Sequence, residues 1–521
     1  MRAAPAFDCV VIGGGLAGLT SAVGLADAGL KPLVLEAGAL LGGRARSWTD
    51  PTTGDPVHIG PHIFLSEYRN LLRLFDRLGT RDRIVWQPAD PFITLVDGRR
   101  AVPIRPAPLP PPMHLVPSVL ADPTTRLADK LSNVPLSARL LSLDDDQVLA
   151  LDALPADTLL RQGGVSETYI RSFWSFVAQS ILNVPLAECS AAALARFYRA
   201  LIGTRGYRVG FPDRGLGDVF APAARRVIEQ AGGQVLTDTR VARFTHEGDR
   251  VTGVVTDEGR AFAAPHVVAA LAPQDLDRLV RAPWRRLSPF RDLPAFEPSR
   301  YLCVYLWFDR KLTRRRFWAR VYDPGDLNCD FYDYGNILRG PRDRPSLIAS
   351  NIIYAQRLPP MDDAAIIART RAELAEYLPA ANAARLVHAV VHRVPMAIHC
   401  PRPGTERLRP ATRTPIDGLL LAGDWIRTHL PASMESAVCA GWRAAEAVLA
   451  DHGHHAALAA PAWRLPRAPR IASRVLADLL RAPTLPDLDV LARRPPVDRT
   501  LSVDAMDREM GAWLADRARA P

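Results

Sequence analysis

Gly13, Gly15 and Gly18 stand at the spacing G-x-G-x-x-G, and Glu36 follows 18 positions after the last of them. Such a set suits a dinucleotide. Gly13 permits a tight turn, Gly15 lets the backbone approach a pyrophosphate, and Gly18 allows a helix to close on a strand. A helix beginning at this turn directs free N–H groups and its positive dipole end at the phosphates. A carboxylate at position 36 accepts hydrogen bonds from a ribose 2′-OH and repels a 2′-phosphate. The run Gly42-Gly43-Arg44 lies just beyond, so two glycines let a guanidinium reach back to the pyrophosphate. Nicotinamide-binding units rarely need that extra cation, and its presence favours FAD over NAD.

These residues need particular elements under them. "FDCVVIGGGLAGLTSAVGLADAGLKPLVLEA" predicts a buried strand over 9–12, a helix over about 16–28 and a second strand ending at Glu36. Near the other end, "LLLAGDWIRTHLPASMESAVCAGWRAAEAVL" (419–449) predicts another buried strand that delivers Gly423-Asp424 to its carboxyl end, then a loop and an Ala-rich helix. Cofactor signals fall in 1–97, 203–273 and 403–450, which predicts a discontinuous Rossmann-like α/β domain. The helical, proline-punctuated stretch 98–202 and the strand-and-helix stretch 274–402 predict an interleaved α+β substrate domain. Within it, "YLCVYLWF" and "SLIASNII" read as strands of a cavity floor. Residues 451–521 predict a helical extension.

The N-terminal pattern, "GPHIFLSEYRNLLRLFDRLG" (60–79), "YLWFDRKL" (305–312) and the 419–449 stretch together resemble the flavin amine oxidase superfamily. Within it they are most similar to the branch holding plant-type phytoene and ζ-carotene desaturases and hydroxysqualene dehydroxylases. The resemblance implies a GR2-type FAD-binding fold. It implies that Asp424 meets the ribityl chain, with Gly423 making room, and that Val241 contacts the adenine through its backbone. Ser433-Met434-Glu435 matches the family's small-Met-Glu segment, whose backbone N–H groups lie beneath the flavin and can stabilise negative charge there. His62 keeps the family position, whereas His58 replaces an acid and Ser66-Glu67 replace small residues. Glu67 is thereby a candidate acid or base, the alternative being a solvated carboxylate at a helix start. The amine-oxidising branch places a Lys behind the flavin; Lys311 reads as an exposed strand end, which counts against an amine.

Three function classes follow. The first is an FAD-dependent oxidoreductase that moves hydride to or from flavin N5 on a long apolar isoprenoid, with a quinone or oxygen as acceptor. The second is an amine or protoporphyrinogen-type oxidase, and the third a flavin-binding protein without turnover.

The 521 residues, 48% of them hydrophobic, suit two to three domains. Six Cys without a C-x-x-C indicate neither a zinc site nor a disulfide framework, and a reducing, cytoplasmic setting. The formal net charge of +10 is carried almost wholly by Arg, with Lys only at 31, 130 and 311. No element interleaves basic and aromatic residues, so a nucleic-acid partner is not expected. No apolar run of about 18 residues predicts a membrane span, and the N-terminus reads as the first strand of the fold. Two stretches nevertheless suit peripheral contact with a membrane face. One is 102–120, with Met113, Leu115 and Val116 beside Arg105 and His114. The other is "RIASRVLADLLR" (470–481), with Ile471, Val475 and Leu479 four apart and Arg470, Arg474 and Arg481 outside that stripe.

Overall fold

Cys9–Ile12 and Pro32–Leu35 carry no charged side chain and are too short for helices, so they form strands buried on both faces. In the computed structural model they lie in a five-stranded parallel sheet ordered Gln234–Leu236, Pro32–Leu35, Cys9–Ile12, His266–Ala269, Leu419–Leu421. The residues described are 6–88, 93–204, 207–321, 323, 325–461, 466–480 and 482. The helix Leu16–Asp27 packs between Leu216–Gln230 and Met434–Asp451. Its closeness to the first strand depends on Gly18, where a Cβ would stand 1.9 Å from the Gly13 carbonyl oxygen. An antiparallel meander, Val241–Glu247, Arg250–Thr256 and Ala261–Ala263, connects the outer strand back to the sheet centre.

A second sheet of seven strands runs Leu386–His399, Pro298–Phe308, Leu347–Ile353, Asp330–Asp333, Phe317–Arg320, Ile93–Asp97, Arg100–Ile104. Alternation along these strands separates two faces. Tyr305, Trp307, Phe317 and Tyr332 pack with Val57, Val209 and Phe211, on the side of the glycine-turn domain. Leu306, Phe308, Trp318 and Ile348 pack on the other side with Ile366 and Leu374 of the helix Asp363–Tyr377. The hairpin Ile93–Asp97/Arg100–Ile104 spans the expected boundary at 97/98 and belongs entirely to this sheet.

Helices dominate 113–203. Among them, Glu167–Tyr169 continues through two π-helical segments, Ile170–Trp174 and Ala178–Leu182, with one short α-turn between. The inner side of this layer is an apolar core that reaches Ile353 of the large sheet and Cys329 and Cys400 beside its strand ends. All six cysteines are buried and free. Among the described residues no helix is long and apolar enough to cross a membrane, and no cluster of metal-ligating side chains is present.

Two expectations are corrected. Lys311 is no exposed strand end, because its Nζ donates to Asn336 Oδ1 at 2.7 Å in a half-buried position. His114 is buried, and Leu115 and Val116 are half-buried, leaving Met113 as the exposed apolar residue of that trio. Arg481 and residues 462–465 and 483–521 of the expected extension lie outside the described residues.

Candidate functional site

The two glycine segments lie side by side. Gly42 N–H donates to the Gly14 carbonyl at 2.8 Å, and the space beside Gly15 meets nothing nearer than the Gly43 Cα at 3.8 Å. That opening at the amino end of Leu16–Asp27 is a cradle a side chain would fill, which suits a pyrophosphate approaching backbone N–H groups. Glu36, at the end of its strand, is oriented by two backbone donors, Gly14 N–H at 2.7 Å and Gly38 N–H at 2.9 Å. Val241 is buried at the start of its strand, in the same apolar cluster as Leu35. Backbone bonds from Thr239 N–H to Glu36 O and from Asp238 N–H to Gly38 O hold this segment beside the carboxylate.

Arg44 and Asp424, 380 positions apart, meet as a bidentate pair, with Nη1–Oδ2 at 3.0 Å and Nη2–Oδ1 at 2.7 Å. Arg44 also donates to the Ala397 carbonyl at 3.1 Å. Burial would raise the Asp424 carboxyl, but the Arg44 charge and its hydrogen bonds hold it below the usual range. Gly423 enters this position with φ +142°. Behind Asp424, the fully buried Arg409 donates to the carbonyls of Asp424 at 2.9 Å, Ile426 at 2.8 Å and Leu430 at 2.7 Å. Glu406 and Arg196 complete a buried cluster with Arg409. Burial would raise Glu406, yet the Arg409 and Arg196 charges hold it at about 2. Arg409 and Glu406 were not anticipated from sequence, where an Arg among prolines gives no sign of burial.

Met434 opens the helix Met434–Asp451, and Ser433 caps it through its side chain. The Met434 side chain packs against the core, which leaves the helix-end backbone as its contribution to a site. The neighbouring Glu435 accepts from Asn70 N–H at 2.9 Å, Asn70 Nδ2 at 2.8 Å and Leu71 N–H at 2.9 Å. It thereby satisfies the amino end of Arg69–Leu78, which has no side-chain cap of its own.

His58 is fully buried and accepts the Leu216 N–H on Nδ1 at 2.9 Å, at the amino end of Leu216–Gln230. Burial and the neighbouring His62 push its pKa down to about 3, so it is neutral. An imidazole lone pair thus does the acceptor work of the acid it replaces. His62 stands 2.6 Å from the Gly60 carbonyl through Nδ1; a carbonyl only accepts, so Nδ1 carries the proton and Nε2 keeps its lone pair. Burial lowers this histidine, and the Arg44 charge acts the same way. Glu67 is half-buried just before Arg69–Leu78, and partial desolvation raises it, opposed by Arg69.

A second carboxyl was missed in the sequence. Asp330 shares with Tyr332 the sheet face turned to the glycine-turn domain, and it is buried. Tyr332 Oη donates to it at 3.0 Å and Asn351 N–H at 3.4 Å. Asn351 Nδ2 in turn donates to the Pro61 carbonyl at 3.1 Å, linking the carboxyl to the His62 segment. Burial pushes Asp330 up to about 7, in spite of those two donors. The arrangement combines a dinucleotide cradle, a paired cation and anion, and an aromatic wall holding a carboxyl that titrates near neutrality.

Comparison with known proteins agrees with this reading of the fold and cofactor. The profile of the family described as flavin containing amine oxidoreductase matches residues 16–449. The 15-cis-phytoene desaturase of Solanum lycopersicum is 28% identical over 476 residues, covering 85% of this chain and 78% of the relative. That of Synechococcus elongatus is 28% identical over 469 residues, covering 84% of this chain and 95% of the relative. Among solved structures, a putrescine oxidase superposes with a TM-score of 0.65 at 17% identity, covering 85% of this chain and 99% of that one.

Proposed function

The chain belongs to the flavin-containing amine oxidoreductases, and is an FAD-dependent oxidoreductase of α/β fold; from that premise we propose that it acts on a long apolar isoprenoid. The reaction is either desaturation of phytoene or ζ-carotene type or reductive loss of a hydroxyl from a squalene-type alcohol. The observation that carries the reading is the aromatic sheet face of Tyr305, Trp307, Phe317 and Tyr332, buried beside the cofactor segments. The desaturase relatives support it. An amine substrate has less support. Lys31 is exposed beside Gly232, Lys130 Nζ donates to the Leu120 carbonyl, and Lys311 Nζ to Asn336.

FAD, when bound, supplies two-electron chemistry, accepting or returning a hydride, with a quinone or oxygen as the eventual partner. The chain's own residues hold it. Gly13, Gly15 and Gly18 admit the pyrophosphate, Glu36 the ribose hydroxyls, and Val241 the adenine edge through its backbone. Gly43 and Arg44 serve the pyrophosphate from the opposite side, while Gly423 and Asp424 serve the ribityl hydroxyls. The amino end of the helix begun by Met434 faces developing negative charge. The aromatic wall aligns the substrate and excludes water.

Asp330 is the group that moves a proton, with Glu67 as the second candidate and His62 as a neutral imidazole that feels the Arg44 charge. In desaturation one carbon loses hydride, the adjacent C–H breaks, its electron pair becomes the new double bond, and the proton goes to ionised Asp330. In dehydroxylation protonated Asp330 gives its proton to the departing hydroxyl, which leaves as water. The two directions have opposite pH dependence. Desaturation rises as pH increases through about 7, where Asp330 ionises, and dehydroxylation falls over the same range. The test is a pH profile with phytoene plus a quinone, and another with hydroxysqualene and chemically reduced enzyme, on wild type, Asp330→Asn and Glu67→Gln. A limb near 7 that vanishes in Asp330→Asn assigns the role. Retention of that limb in Asp330→Asn with loss in Glu67→Gln transfers it to Glu67.

A further inference from the structure

Fourteen large apolar side chains are exposed among the described residues, and eleven of them fall in 109–134 or 471–480. Scatter over the surface would need no explanation, but the helices that carry most of these residues pack on each other. The helix Arg467–Leu479 docks on Leu127–Ser142, where Ala138, Ala477 and Ala482 form a small cluster. Arg139 spans the contact to Asp478 Oδ1 and to the Ala482 carbonyl, each at 3.4 Å. The docking uses small residues: Ser473 and Ala477 are the buried positions of the outer helix.

At about 100° per residue, Ile471, Val475 and Leu479 lie on the side opposite Ser473 and Ala477. They are 52%, 53% and 76% exposed, an inversion of the pattern by which a surface helix buries its large apolar face. The partner helix buries Leu136, Leu140 and Leu141 in the apolar core but leaves the large residues of its first half uncovered. Leu127, Leu131 and Val134 share the stripe of Ala138 by their spacing, yet stand 59%, 54% and 38% exposed. Charge flanks the apolar strip: Arg467, Arg470 and Arg474 lie on one side of the outer helix against the single acid Asp478, itself paired with Arg139.

We propose that the outward face of Arg467–Leu479, together with the exposed Leu127, Leu131 and Val134 of the helix beneath it, forms a docking surface for an anionic lipid bilayer. The apolar strip enters the boundary of headgroups and acyl chains, and the three arginines meet lipid phosphates. Charge complementarity selects this occupant, because a strip flanked by arginines that have no acidic partner among the described residues would repel its own copy. The outer helix lies beyond residues 16–449, the span matched by the family profile, whereas Leu127–Ser142 lies within it. Leu127–Ser142 is also part of the helical layer whose inner side reaches Ile353 of the large sheet and the strand-end residues Cys329 and Cys400. Delivery of an apolar substrate from lipid through this layer rests on the isoprenoid reading; lipid docking itself does not.

The experiment uses the flavin-loaded full chain, the triple variant Ile471→Asp/Val475→Asp/Leu479→Asp, and a chain ending at residue 482. Each is sedimented with vesicles of phosphatidylcholine alone and of phosphatidylcholine with phosphatidylglycerol, at low and high salt. Wild type is expected to partition onto the anionic vesicles and to be partly released by salt. The triple variant should lose tenfold or more in partition coefficient while keeping its flavin spectrum and melting temperature. Three results overturn the proposal: binding unchanged in the triple variant; no vesicle binding but a dimer of wild type that the substitutions dissociate; or vesicle binding seen only after truncation at 482, which would mean that the chain's own end covers the face. If docking holds, turnover of isoprenoid supplied in vesicles should fall in the triple variant, and turnover from detergent should not. Absence of turnover in both formats would overturn the isoprenoid reading alone.

Discussion

Arg44 and Asp424 differ in how much water they keep: the Arg44 side chain is 32% exposed and that of Asp424 only 6%. Removing the arginine therefore strands a buried carboxylate, whereas removing the acid leaves a cation that can reach solvent. Arg44→Met is expected to cost about 2–3 kcal/mol of stability and Asp424→Asn about 1 kcal/mol, read from thermal melts of flavin-free protein. Both should weaken FAD retention about tenfold or more, since each removes a charge that we propose faces the cofactor. Glu406 gives a pH prediction with a definite sign. Its folded pKa of about 2 lies below its ordinary 4.5, so its contribution is present above 4.5 and is lost as pH falls toward 2. The stability gap between wild type and Glu406→Gln should accordingly narrow over that window in urea titrations.

At the scale of elements, local and distant information separate cleanly. The turn at Gly13 to Gly18, the strand before it and the helix after it are contiguous, and their positions could be read from spacing and apolar runs. Glu36 was legible for the same reason, because a βαβ unit fixes its distance from the glycines. Asp424 could be placed at a strand end, and the resemblance supplied its role. Glu435 was not legible as a cap. It serves a helix 365 positions away, and nothing near Asn70 signals that the amino end of Arg69–Leu78 is satisfied from elsewhere. Asp330 escaped notice because its burial is created by strands that pair across the sheet. Arg409 escaped notice because its partners are backbone carbonyls, which any sequence provides. The cap makes a prediction of its own: Glu435→Ala should cost about 2 kcal/mol or more by orphaning buried donors, and should speed hydrogen exchange in 69–78. Glu435→Gln, which keeps one acceptor, should be milder in both readouts.

For the whole molecule, the parallel sheet supplies the proposed cofactor cradle, the seven-stranded sheet supplies an aromatic face beside it, and strands from both converge on the Arg44–Asp424 pair. Ala397, to which Arg44 donates, lies in the edge strand of the larger sheet, so the cofactor residues and the proposed substrate wall are mechanically joined. The central claim is that flavin held in this cradle exchanges electrons with a long apolar isoprenoid. The most direct measurement is anaerobic mixing of the flavin-loaded chain with candidate substrates while the blue flavin band is followed, with products separated by chromatography. The account predicts either that phytoene in vesicles bleaches the oxidised flavin and acquires conjugated double bonds, or that hydroxysqualene restores colour to the reduced enzyme and loses its hydroxyl. Flavin that is inert to both and to ζ-carotene, yet bleached by putrescine or another amine, would contradict it.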